Sequence, residues 1–110
     1  MRYVETSLGA TTADAEKVVI RFENGDLQLS FMDWQNQPRS IMFRDVLAYR
    51  WQELDDAVPR DDTTFEALDS PWLERQAKLH GVLASDYAHY VVCFNACGVL
   101  DVLARRTSAG

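Results

Sequence analysis

Two cysteines and two histidines are all the thiol and imidazole chemistry in these 110 residues. Cys93 and Cys97 are too few and too close together for a secreted disulfide framework, so a reducing cytoplasm is the expected compartment. Their spacing occurs in some metal sites, but two thiols supply half of a tetrahedral zinc shell, and neither His80 nor His89 stands at a spacing that completes it. No metal and no cofactor are expected. The five glycines form no phosphate-cradling loop, and no serine sits in a nucleophile elbow. No residue is therefore assigned a catalytic role. No apolar run approaches the roughly 20 residues of a membrane span, and the first seven residues hold no continuous apolar stretch, so neither membrane insertion nor export is expected.

An excess of positive charge is also missing. The formal net charge is −6, and its distribution is uneven. Between Glu53 and Asp69 stand seven acids (Glu53, Asp55, Asp56, Asp61, Asp62, Glu66 and Asp69) against the single base Arg60, while the other residues balance ten acids with ten bases. A local excess of this kind repels phosphate backbones and attracts cations, which disfavours nucleic acid and favours a basic protein partner. The plainer alternative is a solvated, charge-rich loop. The paired aspartates do not make a calcium loop, because the alternating ligand positions, central glycine and closing glutamate of an EF-hand are absent.

What the chain does have is apolar and aromatic bulk. An apolar fraction of 47%, with three Trp, four Tyr and five Phe, suffices for one core and one domain over residues 1–110. Residues 2–8 alternate weakly, as a short strand would. Val18, Ile20 and Phe22 share one face of residues 17–23, with a period of two. Asn24-Gly25 suits a type I′ turn into a second strand over 26–33, where Leu27, Leu29 and Phe31 align. Residues 34–38 predict a second turn, ended by Pro38. Pro71 behind Asp69 and Ser70 predicts a helix start, with Gly81 as its end. Residues 63–68, 87–95 and 99–104 complete the strands, the last two joined by a turn whose Gly98 is expected in a left-handed G1 bulge. Residues 105–110 read as a frayed tail.

The stretch 43–53 reads as a central strand with something to present. It is either one long strand bent by a bulge near Arg44 and Asp45 or two segments meeting at a tight corner, and a bulge is the commoner device. The expected fold is thus α+β: about six or seven antiparallel strands in one meandering or partly closed sheet, with one main helix after the fifth. Arg50, Trp51 and Glu53 at the mouth of the acidic stretch are the candidate binding residues, together with Asp55, Asp56, Asp61 and Asp62, and with Trp34 and Trp72 as further aromatic candidates. Tryptophan and arginine are enriched at binding hot spots, and acids around them steer a basic partner. The alternative places Trp51 in the core and pairs Arg50 with an acid on a neighbouring strand.

Residues 45–53 (Asp45 to Glu53) and 89–102 (His89 to Val102) resemble a family of small, functionally uncharacterised bacterial domains. Similar small acidic α+β proteins include immunity proteins of bacterial toxin systems, a resemblance that implies an inhibitory protein partner but carries no site residues. Three functions follow in order: a cytoplasmic protein-binding module for a basic partner; a small-ligand or enzymatic domain with a pocket near His89, Tyr49 and Arg50; and a homo-oligomer joined through an edge strand.

Overall fold

The computed structural model describes residues 2–6, 16–52, 64–94 and 98–106. They form eight strands, β1 (Arg2–Glu5), β2 (Glu16–Glu23), β3 (Asp26–Met32), β4 (Pro38–Phe43), β5 (Ala48–Gln52), β6 (Thr64–Leu68), β7 (Tyr87–Phe94) and β8 (Gly98–Arg105), and one α-helix, α1 (Pro71–His80). All pairings are antiparallel. The α+β expectation holds, but the single sheet of six or seven strands does not. The strands divide into a five-stranded sheet, ordered β1-β6-β7-β8-β5, and a three-stranded sheet, ordered β2-β3-β4.

The division comes from the stretch 43–53 taking the second of its two alternatives, a tight corner between two segments in place of the bulged strand that is the commoner device. Asp45 takes a left-handed φ of 48°, which turns the chain out of the smaller sheet after β4. Val46 N–H then donates to Gly25 O and Leu47 N–H to Leu103 O, so the chain has changed sheets before β5 begins. Asp26 accepts from Arg44 Nη1 at 2.9 Å and from the Asp45 amide at 3.2 Å, while Arg105 Nε reaches Asp45 at 3.0 Å. These pairs are exposed and contribute little energy singly, but they fix the corner's direction.

The local signals behave as their chemistry requires. Asn24 and Gly25 have φ of 54° and 82°, and the β2–β3 hairpin closes with Glu23 opposite Asp26. Pro38 opens β4 opposite Met32 instead of ending the turn, at a sheet edge where a missing N–H breaks no ladder. Asp33 builds that turn by accepting from the Gln35 and Gln37 amides, each at 2.9 Å. Ser70 caps α1, Pro71 occupies its first turn, and Gly81 ends it at φ 68°.

The two sheets pack face to face. Leu27, Leu29, Phe31, Ile41 and Phe43 from the smaller sheet meet Ala88, Tyr90, Val92, Phe94, Leu100, Val102 and Ala104 from β7 and β8. On the other face of the larger sheet, Leu73 of α1 packs with Tyr87 and Leu103, and Val91, Cys93 and Val99 pack with Ala67. The central strands are therefore β7 and β8, buried on both faces, and the stretch 43–53 is not central: β5 is an edge strand. A strand covered twice reads as a nearly continuous apolar run, as Tyr87–Phe94 does, whereas the polar alternation of β5 suits a strand covered less completely. The turn at 95–97 lies outside the described residues. Gly98 has φ 151°, a positive value that favours glycine but lies far from the left-handed helical angle expected of a G1 bulge.

Candidate functional site

Strand alternation puts Asp101 on the helix-facing side of β8, directly opposite Arg50 on β5 and diagonal to His89 on β7. Asp101 is 2% and His89 1% exposed. A buried carboxylate needs compensation, and this one collects it from three sides. Its Oδ1 accepts from His89 Nε2 at 2.7 Å, and its Oδ2 from Gln52 Nε2 at 2.9 Å and, more loosely, Arg50 Nε at 3.4 Å. Burial pushes the Asp101 carboxyl up, but the hydrogen bonds from His89 and Gln52 and the charge of Arg50 outweigh it and hold the group below the usual carboxylate value.

The network continues to the helix. Ser70 Oγ lies 2.8 Å from His89 Nδ1 and accepts the Leu73 N–H at 3.2 Å. Because a carboxylate only accepts, we assign the ring proton to Nε2, leaving Nδ1 to receive the serine O–H. Trp72, two residues into the capped end, meets the His89 ring edge-on at 5.3 Å and lies under the Arg50 guanidinium at 4.6 Å. One buried acid thus joins β5, β7, β8 and, through Ser70, α1.

Serine, histidine and aspartate in a hydrogen-bonded row are also the groups of an acyl-transfer triad. Here the imidazole is reversed, with serine at Nδ1 and the carboxylate at Nε2, and the serine oxygen is engaged as a helix cap. Ser70 borders an open cleft of about 350 Å³ with Glu66, Glu74 and Arg106, yet only 3% of its surface is exposed. The geometry suits a clamp that holds elements together. Ser70→Ala is expected to cost about 1–2 kcal/mol in urea unfolding, from the lost cap and the orphaned Nδ1. A change below a few tenths would show that the cap does not carry the clamp.

The other face of β5 looks away from this network. Tyr49 and Trp51 share the side toward the smaller sheet, opposite Val102 and Leu100, yet remain 41% and 38% exposed. Trp51 touches Phe94 at 6.0 Å between ring centres, and Tyr49 touches Phe22 of β2 at 5.4 Å. Phe22 is itself 47% exposed. These three rings border the side of the sandwich where edge strands β5 and β2 meet.

Of the residues singled out in the sequence, Arg50 takes the plainer alternative and pairs with Asp101, while Trp51 is not sealed in the core. The two point to opposite faces, and so do Tyr49 and Arg50, so one pocket near His89 does not gather both. Trp72 joins Arg50; Trp34 is exposed in the β3–β4 turn. Glu53, Asp55, Asp56, Asp61 and Asp62 lie outside the described residues. Glu66 is engaged by Arg106 at 2.9 Å, and Asp69 turns the chain into α1 at φ 56°. Sequence reasoning passed over Asp101 and Ser70 as a pair of partners for His89. One signal was available: a lone aspartate inside the apolar run Gly98–Arg105 requires a partner wherever that strand is buried.

Among the described residues no group of three or more His, Cys, Asp or Glu side chains is placed to hold a metal ion, and no helix is long and apolar enough to cross a membrane. No protein-family model, curated protein or solved structure matches this chain.

Proposed function

We propose that this chain is a small acidic module that binds a basic partner protein in the cytoplasm, with Trp51 as anchor and Tyr49 and Phe22 beside it. The observation that supports this most directly is the group of three exposed aromatic rings on two neighbouring edge strands, one of them held from behind by the Asp101 clamp. Large aromatic side chains fixed on a rigid element lose little entropy on binding, which is why such residues dominate interfaces. The acid-rich stretch begins at Glu53, two residues after Trp51, and supplies the steering charge. Inhibition of the partner, as in the immunity proteins that the sequence resembles, is the form of this function we favour. In this reading Arg50 positions β5 rather than meeting the partner first.

The test begins with affinity capture by the tagged protein at low and high salt, to obtain a partner. Replacing Asp55, Asp56, Asp61 and Asp62 together by Asn is then expected to slow association about tenfold at low salt and to flatten its salt dependence. Trp51→Ala is expected to weaken affinity by about 2 kcal/mol, roughly 30-fold, mostly through faster dissociation. Unchanged association kinetics in the first variant would remove the steering role, and unchanged affinity in the second would remove the anchor.

A further inference from the structure

The sheet edges are not equally protected. β1 is four residues long and carries Arg2 and Glu5 at its ends. β2 has a break in register between Glu16 and Val19, with Lys17 at φ 56°, and adds Arg21 and Glu23. β4 starts with Pro38 and Arg39. Short length, bulges, proline and charge are the usual devices against unwanted strand pairing. β5 runs from Ala48 to Gln52 in unbroken register, without proline, and its one charge, Arg50, is paired with Asp101.

The direction of the β5 backbone can be read from Gly98. A Cβ placed on that residue would lie 2.6 Å from the Gln52 carbonyl oxygen, so this carbonyl points at β8. Ladder groups alternate sides along an antiparallel strand, so Ala48, Arg50 and Gln52 address β8. The N–H and C=O groups of Tyr49 and Trp51 point off the sheet, and among the described residues β5 has no second strand neighbour.

From this geometry, and resting on the binding function proposed above, we infer that the partner docks by adding an extended, lysine- or arginine-bearing segment to the β5 edge. The outward backbone groups of Tyr49 and Trp51 pair with that segment, and their two rings, spaced for alternate side chains, cover one of its faces. The charge selects the occupant. Glu53, Asp55 and Asp56 follow Gln52 within four residues, so chain connectivity alone tethers three carboxylates to the end of β5; a lysine- or arginine-bearing segment complements them, whereas a second copy carries the same acids.

A short fluorescent peptide of alternating Lys and Val, compared with its Glu-Val counterpart, tests this by anisotropy with the full chain. The lysine peptide is expected to bind at least about tenfold more tightly. Tyr49→Pro removes an outward N–H without breaking the β8 ladder and is tolerated at an edge. It is expected to bind at least about tenfold more weakly than Tyr49→Ala, which loses the same ring but keeps the N–H. Should Tyr49→Pro not fold, two lysine peptides N-methylated at odd or at even positions serve instead with the unaltered protein: strand addition requires that one of them fail. If Tyr49→Pro matches Tyr49→Ala, or both methylated peptides bind like their parent, strand addition is overturned. The side-chain surface would then still stand if Trp51→Ala weakens binding, and would fall with it if Trp51→Ala does not. No binding of the lysine peptide, or a dimer in sedimentation that Tyr49→Pro dissolves, would also overturn the proposed occupant.

Discussion

Asp101→Ala is expected to destabilise the protein by about 3 kcal/mol or more, because it removes the common acceptor of a buried network. His89 Nε2–H loses its acceptor among the described residues in a site 1% exposed, Gln52 loses its hydrogen bond to Asp101, and the guanidinium over Trp72 loses its counter-charge. A cavity is left between the central strands and α1. Urea unfolding measures this directly: with a slope of about 1–3 kcal/mol per molar, the midpoint should fall by at least about 1 M. Asp101→Asn keeps the volume and one carbonyl acceptor but turns an amide toward the Gln52 and Arg50 donors, so a smaller loss is expected. A loss below about 1 kcal/mol for Asp101→Ala would show that the network does not hold the sheet together.

The same residue predicts a pH dependence. The folded-state pKa of Asp101 is depressed, so its contribution is present above the unfolded value of about 3.9 and is lost as pH falls through the folded value. The stability gap between the unaltered protein and Asp101→Asn should therefore be wide at pH 7 and narrow below about pH 4. Asp26, held down chiefly by the Asp45 amide, and Asp33, held down chiefly by Arg39, act in the same window in both proteins and cancel from the gap. An equal gap at pH 7 and pH 3 would contradict the assignment.

Gly98→Ala is expected to be the other large effect, at about 2–4 kcal/mol. The new Cβ would meet the Gln52 backbone oxygen at 2.6 Å and Trp51 Cζ2 at 2.8 Å, and φ of 151° is one that side chains rarely adopt. Backbone cannot yield as a side-chain tip can, so β5 must move away from β8. Partner binding should fall along with stability, since Trp51 is displaced. Gly25→Ala is the control: its Cβ meets nothing within 4 Å, and only the left-handed strain at φ 82° remains, about 1 kcal/mol. Equal effects at the two glycines would mean that β5 is not pressed against Gly98.

How far the sequence reaches depends on the range of the interactions involved. The Asn24-Gly25 hairpin, the capped start of α1 at Ser70 and Pro71, and its Gly81 end were legible because each is decided within a few neighbouring residues. The division into two sheets was not, since a left-handed Asp45 and a bulge satisfy the same local pattern and only hydrogen bonds to Gly25, Leu103 and Arg105 choose between them. Arg50 and Trp51 were visible as adjacent residues of interest, but their separation onto a clamp and an exposed edge depends on what covers each face of β5.

By itself the sequence determined the strand and helix segments, the alternation that groups Val18 with Ile20 and Tyr49 with Trp51, and the concentration of negative charge after β5. Tertiary structure alone decided that β7 and β8 occupy the centre, that β5 lies at an edge, and that Ser70, His89, Asp101 and Arg50 meet. The reason is physical: periodicity and capping act over a few residues, whereas a buried carboxylate finds its partners across strand register, here between residues 12 and 51 positions apart.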